Sequence, residues 1–402
     1  MTPPFPRFPF VPSILDSPAM PHVCQAFAAV ILASMLLLSR VVHGVEKFSK
    51  VAPHFRDYFY VGGEYVHVSG STGGTYFHNQ MYVEKLSPVH EHVQPYPIVF
   101  VHGGGQSGTN FLNKPDGSPG WASWFLNHGY VVYLLDRTLT GRSPILPGDD
   151  DLSQTAFSAE FISQRFTAVQ KYPLWPQAKL HTQWPGTGEM GDAFFDAYYM
   201  STVQSVSDSQ IQEETMKAAG ERLLDRIGPA VVITHSQGGL YGWSWADSRP
   251  GLIKALIQIE PKGPPFREVI FSSAYSRPWG LTSIPLAYDP PPTNLSSPLT
   301  MKSVPADSHD LLPCIIQQEP SKKLPNLARV PILISTGEAS YHAAYDYCFI
   351  KFLHQAGVPA EHLELSRVGL NGNGHLHFME RNSDDIAQTL HEWVVVKVNG
   401  TL

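Results

Sequence analysis

An α/β architecture, a mostly parallel central sheet with helices on both faces, is predicted by three observations. Short runs of β-branched and apolar residues alternate with segments of helical spacing from about residue 58 onward. Several of these runs are apolar throughout, as strands buried on both faces must be. Hydrophobic residues make up 43% of the 402 and charged residues 16%, enough apolar material for a large core, which excludes a disordered or collagen-like chain. A net charge of −7 with no Lys/Arg cluster argues against a nucleic-acid partner. The length fits one elaborated α/β domain as well as two or three smaller ones.

The first 44 residues are set apart as an N-terminal extension and secretory signal. Residues 1–19 are Pro-rich and aperiodic, and Ala26 to Leu38 is an apolar run closed by Ser39-Arg40. A helix of that length spans roughly 20 Å, short of the roughly 30 Å of a bilayer core, and matches the apolar centre of a signal, with small residues following for cleavage. Met20 is an alternative start. Retention of residues 26–38 as a membrane anchor, or their burial as a helix, are the competing readings.

Residues 45–402 then read as one domain. Tyr58–Val61 and Glu64–Val68 meet at Gly62-Gly63, a hairpin signal, and Gln80–Leu86 is a further strand. Ile98–His102 is a buried strand running into glycines, Trp121–His128 a helix and Val131–Asp136 the next buried strand. A helix over Ile211–Ile227, a strand over Ala230–Thr234, a helix over Gly239–Asp247 and a strand over Ala255–Glu260 follow. Pro331–Ser335 and Glu361–Val368 are the last strands, with helices over Tyr345–Ala356 and Phe378–Val396. Two Pro-rich insertions, at about 151–210 and 264–326, interrupt this rhythm near the expected carboxyl ends of strands, where open α/β sheets bind ligands. Both are predicted to be cap material over a site.

The chemistry begins at Val231-Val232-Ile233-Thr234-His235-Ser236-Gln237-Gly238-Gly239. A β-branched strand running into Ser and small residues before a helix is the context of a nucleophile elbow, whose sharp turn lifts the Ser hydroxyl out of the sheet edge. Gly238 gives the room the turn needs, whereas Thr234 stands where Gly is usual. Upstream, His102-Gly103-Gly104-Gly105-Gln106 follows an apolar strand, and glycines there let backbone N–H groups face a site. The N–H groups of Gly104 and Gln237 are the expected oxyanion hole. A phosphate cradle is excluded because no Gly-Lys-Ser/Thr follows. Asn371-Gly372-Asn373-Gly374-His375 is a Gly-rich loop before the last helix, where a general base is delivered. His375 is preferred over His377. Two carboxylates qualify to orient it: Glu260, ending the strand after the elbow helix, and Glu338, following the next strand.

No cofactor or metal is expected, since His90/His92 and His375/His377 lack a third ligand at suitable spacing. The rings of Tyr172, Trp175, Trp184, Phe194, Phe195, Tyr198 and Tyr199 suit packing in the first insertion or an aromatic pocket. Cys24 falls in the signal, leaving Cys314 and Cys348 as a candidate disulfide in an oxidising compartment. Sequons at Asn294 and Asn399 are candidate glycosylation sites.

Five ordered blocks, HGGGQSGTNF (102–111), GWASWFLNHGYVVYLLDRTLTGRS (120–143), THSQGG (234–239), IEPKGPP (259–265) and GNGHLHFMERN (372–382), resemble the α/β-hydrolase superfamily. More closely, they are similar to secreted bacterial and fungal esterases related to the Alcaligenes arylesterase. The resemblance covers roughly residues 60–397 and implies a serine esterase acting on small-molecule carboxylic esters. In that group the acid follows the strand after the elbow in a Val-Glu-Pro-like sequence, which Glu260-Pro261 matches, so Glu260 is preferred and Glu338 kept as the alternative. The bacterial relative has adjacent cysteines where this chain has Gly104-Gly105, so the resemblance implies a looser oxyanion loop. An amidase or lactonase with the same triad, or a non-catalytic ligand-binding member of the fold, are the other readings; a dehalogenase would need a carboxylate in place of Ser236.

Overall fold

Fully apolar strands need cover on both faces, and the structure, a computed structural model, supplies it with helices. It describes residues 51–70, 73–89, 94–149 and 152–399. Eight strands form the central sheet: β1 (His54–Val61), β2 (Met81–Pro88), β3 (Ile98–Val101), β4 (Val132–Asp136), β5 (Ala230–His235), β6 (Ile253–Ile259), β7 (Ile332–Thr336) and β8 (Glu361–Glu364). They lie in the order β1-β2-β4-β3-β5-β6-β7-β8. β1 and β2 pair antiparallel, as do β2 and β4, and every later pairing is parallel.

Side chains alternate across this sheet with the period of two that a pleated strand imposes. Val99, Val101 and Val232 face a core shared with Leu223, Leu240, Trp243 and Phe352. Ile98, Phe100, Val231 and Ile233 face the opposite core, with Trp121, Phe125, Ile386 and Leu390. The first layer carries α4 (Ser209–Ile227), α5 (Gly238–Ser248) and α6 (Tyr347–Gln355), and the second α1 (Trp121–Asn127) and α7 (Ser383–Asn399). Each fully buried large side chain contributes about 1.5–3 kcal/mol. α4 and α5 approach closely because Gly220 has no Cβ; one would collide with the Trp245 indole, which instead donates to the Met216 carbonyl at 2.8 Å.

The first insertion holds α2 (Ala159–Ile162), a π turn over Ser163–Thr167, 3-10 turns and α3 (Ala193–Met200), and a short pairing of Gln154–Thr155 with Ser205–Val206 closes it. The second holds a hairpin, Met301–Val304 with Cys314–Gln317, fastened to α6 by a Cys314–Cys348 disulfide with Cα atoms 5.2 Å apart.

Three local readings are corrected. Gly62-Gly63 does not join a hairpin: β1 pairs with β2, and Glu64–Val68 pairs with Gly74–His78. The glycines, both at positive φ, are a bend between two separate pairings. Residues 365–368 form a 3-10 turn rather than the end of β8. The closing helix begins at Ser383, because Leu376, Phe378 and Met379 pack into the core from a loop.

Residues 1–44, with Met20, Cys24 and the 26–38 run, lie outside the described residues, as do His90 and His92. Among the described residues no helix is long and apolar enough to cross a membrane. Asn294 is exposed, with its side-chain oxygen accepting from Ser296 N at 3.0 Å. Asn399 closes α7, and the other two residues of its sequon are outside the described set.

Candidate active site

Ser236 leaves β5 at a φ of 53°, the left-handed region that costs a non-glycine residue energy. The turn is held from both sides: Ser236 N donates to Ile259 O at 3.0 Å, and Ser236 O accepts from Gly239 N and Lys262 N, each at 2.9 Å. A Cβ on Gly238 would lie 2.6 Å from Val101 O, so β3 and the elbow pack backbone against backbone. Thr234 fits where glycine is usual because its hydroxyl donates to the buried Gln258 side chain.

Glu260 and His375 arrive from the ends of β6 and of the 371–374 loop. His375 Nδ1 and Glu260 Oε2 are 2.6 Å apart, both buried. Gly337 N and Ser340 Oγ donate to the same carboxylate at 2.7 and 2.6 Å. Burial pushes the Glu260 carboxyl up to about 7, opposed by His342 and His377. Burial holds His375 well below the ordinary histidine range, with His342 and His377 adding to the effect. Glu338 is placed elsewhere: its carboxylate accepts Gly372 N–H at 2.8 Å and so braces the loop that carries His375. His377 turns into the core, where its Nδ1 is 3.3 Å from the Gly374 carbonyl.

The loop is fixed by further buried polar groups. Glu380 accepts from Gly374 N at 3.1 Å and from Asn373 Nδ2 at 2.9 Å, and meets His181 Nε2 from the first insertion at 2.6 Å. His235 Nε2 is 3.1 Å from the His375 carbonyl. His342 stacks on the His375 ring.

Neither Gly104 N–H nor Gln237 N–H has an acceptor among the described residues, and both residues line the same cavity as Ser236. In place of a cysteine pair, Gly105 is anchored: its N–H donates to Ser205 Oγ at 2.9 Å and its carbonyl accepts from Val203 N at 2.9 Å. Arg137, fully buried, stands behind this arrangement. It donates to Ser205 Oγ at 2.9 Å, to Tyr241 Oη at 2.9 Å and to Gln212 Oε1 at 3.0 Å, and Gln212 Oε1 also accepts from the Gln237 side chain at 3.1 Å. One guanidinium thus links both halves of the prospective oxyanion hole. His102 accepts Arg137 N–H through Nε2 at 3.1 Å, and burial holds it unprotonated with a pKa of about 3.

Ser236 and His375 share a cavity of about 280 Å³, walled by Phe157, Phe161, Phe166, Phe271 and Tyr341. Both insertions contribute walls. Of the aromatic residues singled out from sequence only Tyr198 reaches it, whereas Trp175 packs behind, 6.1 Å from Phe271. Glu260, His342 and His375 bring ligand atoms within 4.8 Å of one another, a distance that suits a metal ion. Their atoms are already engaged, however, since His342 Nδ1 meets Asp346 at 2.8 Å and Nε2 meets Tyr345 Oη at 3.1 Å. The set reads as a hydrogen-bond network.

The model of the α/β hydrolase family matches residues 98–389. The chain belongs to that family. A probable secreted lipase, phiG, of a fungus (strain ATCC 74256) is 46% identical to this α/β hydrolase over 337 residues, covering 84% of this chain and 88% of the relative. Among solved structures, a bacterial esterase superposes with a TM-score of 0.59 at 21% identity, over 88% of this α/β hydrolase and 100% of the esterase.

Residues missed from sequence are Arg137, Gln212, Ser340, His342 and Glu380. Each is a single polar residue that meets at least one partner distant in the chain, and only Arg137 and Glu380 lie inside the five sequence blocks.

Proposed function

We propose that this α/β hydrolase is a secreted serine esterase cleaving small-molecule carboxylic esters through an acyl-enzyme. Ser236 is the nucleophile, His375 the base, Glu260 its orienting acid, and the Gly104 and Gln237 N–H groups the oxyanion hole. The observation that carries this reading is the 2.6 Å contact of His375 Nδ1 with buried Glu260, at a cavity that Ser236 enters from a strained elbow.

Glu260 fixes the tautomer of His375, leaving Nε2 to accept the Ser236 proton as Oγ bonds to the ester carbon. The carbonyl oxygen becomes an oxyanion received by the two free N–H groups. Collapse expels the alcohol, which takes the proton from His375. Water then repeats the sequence, releasing the acid and restoring Ser236. Export is supported by the 26–38 run, the disulfide and the description of the fungal relative.

The test is labelling by a fluorophosphonate probe followed by peptide mapping, alongside hydrolysis of simple aryl esters. The label is expected on Ser236, and Ser236→Ala is expected to lose about 10⁴–10⁶ in turnover. A tenth of wild-type activity in that variant overturns the reading.

A further inference from the structure

Arg165 is a cation without a counter-ion in the wall of the cavity. It lies on the π turn of the first insertion. Its guanidinium carbon sits over the Phe161 ring at 3.7 Å and over the Phe271 ring, from the second insertion, at 4.3 Å. Contact with two phenyl faces fixes the plane of the group and leaves its N–H edge as the reactive part. That edge is unanswered: among the described residues no hydrogen bond or ion pair reaches Arg165, and its Nε is buried without a partner. Burial is the main influence on its ionisation and no carboxylate offsets it.

The other charges nearby do not supply the missing partner. Glu268 is taken by Arg277 Nη1 at 2.6 Å and Ser276 Oγ at 3.0 Å, with Lys262 Nζ at 3.9 Å. The cavity wall holds Arg165, Lys262 and Glu268, and since Glu268 is already neutralised, the cavity is cationic in a chain of net charge −7. A half-buried, unpaired guanidinium is costly to keep, and a ligand anion removes that cost. Its neighbour Phe166 packs 5.0 Å from the His375 ring, so the free edge belongs to the reacting site rather than to a remote pocket.

We propose that Arg165 is a specificity-determining residue and that the preferred substrates are esters bearing a free carboxylate, which takes the open edge of its guanidinium. This rests on the esterase reading and names its substrate class. The carboxylate can reside on the acyl or on the alcohol portion.

Two matched pairs of esters test it: the 4-nitrophenyl hemiester of glutaric acid against 4-nitrophenyl pentanoate, and 4-acetoxybenzoate against 4-methylphenyl acetate. The ratio of kcat/KM, anionic over neutral, is expected to be about 10 or more in one pair, which identifies the side, and to arise mainly in KM. In Arg165→Gln that ratio is expected to fall about 10–100-fold, whatever the absolute rates. Arg165→Lys, which keeps the charge but loses the fork, is expected to lower it at least threefold. The proposal is overturned if neither anionic ester is preferred, or if either variant leaves the ratio unchanged. Failure of the wild type to hydrolyse any of the four, with no probe labelling, instead brings down the esterase reading.

Discussion

His342 lies flat against His375, with ring centroids 5.1 Å apart and planes within 5°. Burial holds His342 at about 4 and pushes its partner Asp346 up to about 8, so the ring covering His375 is uncharged at neutral pH. His375 is further enclosed by His235, with centroids 4.5 Å apart, and by Glu260.

This enclosure sets the pH dependence. In the proposed mechanism the competent form of the Glu260–His375 unit is a carboxylate and a neutral imidazole. One added proton silences it, and burial makes that proton go on readily, since Glu260 is raised to about 7. The rate on a neutral ester is therefore expected to be flat above about pH 7 and to fall as pH drops through it. In Glu260→Gln only His375 remains to titrate, and the acid limb should move below 6.5 because burial depresses its pKa. Profiles of kcat/KM decide this; full wild-type activity at pH 5 contradicts it.

The two acids separate by magnitude. Glu260→Gln is expected to reduce kcat by about 10³–10⁴, since the amide no longer holds the required tautomer. Glu338→Gln should cost less than about tenfold, because its side-chain oxygen can still accept Gly372 N–H. Steady-state kinetics of the two variants on one ester compares them.

Arg137 is expected to act on turnover more than on binding. Replacing it with Gln frees Ser205 and Gln212, which hold Gly105 and the Gln237 side chain. A drop of about 10–100-fold in kcat with little change in KM is expected, less than the loss of an oxyanion donor itself. An equal change in both constants would mark it as a packing residue only.

Much of the fold was legible because its signals are local. Ile98–Val101 and residues 132–135 are unbroken apolar runs, and the Ser236 elbow and the Gly-rich 102–105 and 371–374 loops are contiguous. The hairpin misreading at Gly62-Gly63 has the opposite cause: pairing of β1 with β2, twenty residues later, is a tertiary outcome that two glycines do not encode. Arg137, His342 and Glu380 were invisible for the same reason, since their meaning lies in partners that the topology brings together. Phe157, Phe161 and Phe166 were overshadowed by the denser aromatic cluster that follows, which packs mostly away from the cavity.

A stability prediction follows from Glu213, buried on α4. Its Oε2 accepts Ser283 N at 2.8 Å, while Oε1 is unpartnered, and burial raises its pKa to about 7. The folded state binds this proton more tightly than the unfolded chain, so stability is lost as pH rises from about 4.5 through 7. Above that window the charge costs on the order of 3 kcal/mol. Glu213→Gln is expected to raise the unfolding temperature at pH 8 and to change it little at pH 4; thermal melts at the two values read it.

The contact between His181 and Glu380 bears on how substrate enters. His181 belongs to the first insertion, whose Thr182 N also donates to Gly372 O at 3.0 Å, so this roof is bonded to the segment that delivers the imidazole. Swinging it aside would break the contacts that hold the loop carrying His375. An enzyme built this way works with its roof in place, and its rate should climb smoothly as a sparingly soluble ester passes from monomers into droplets, without interfacial activation.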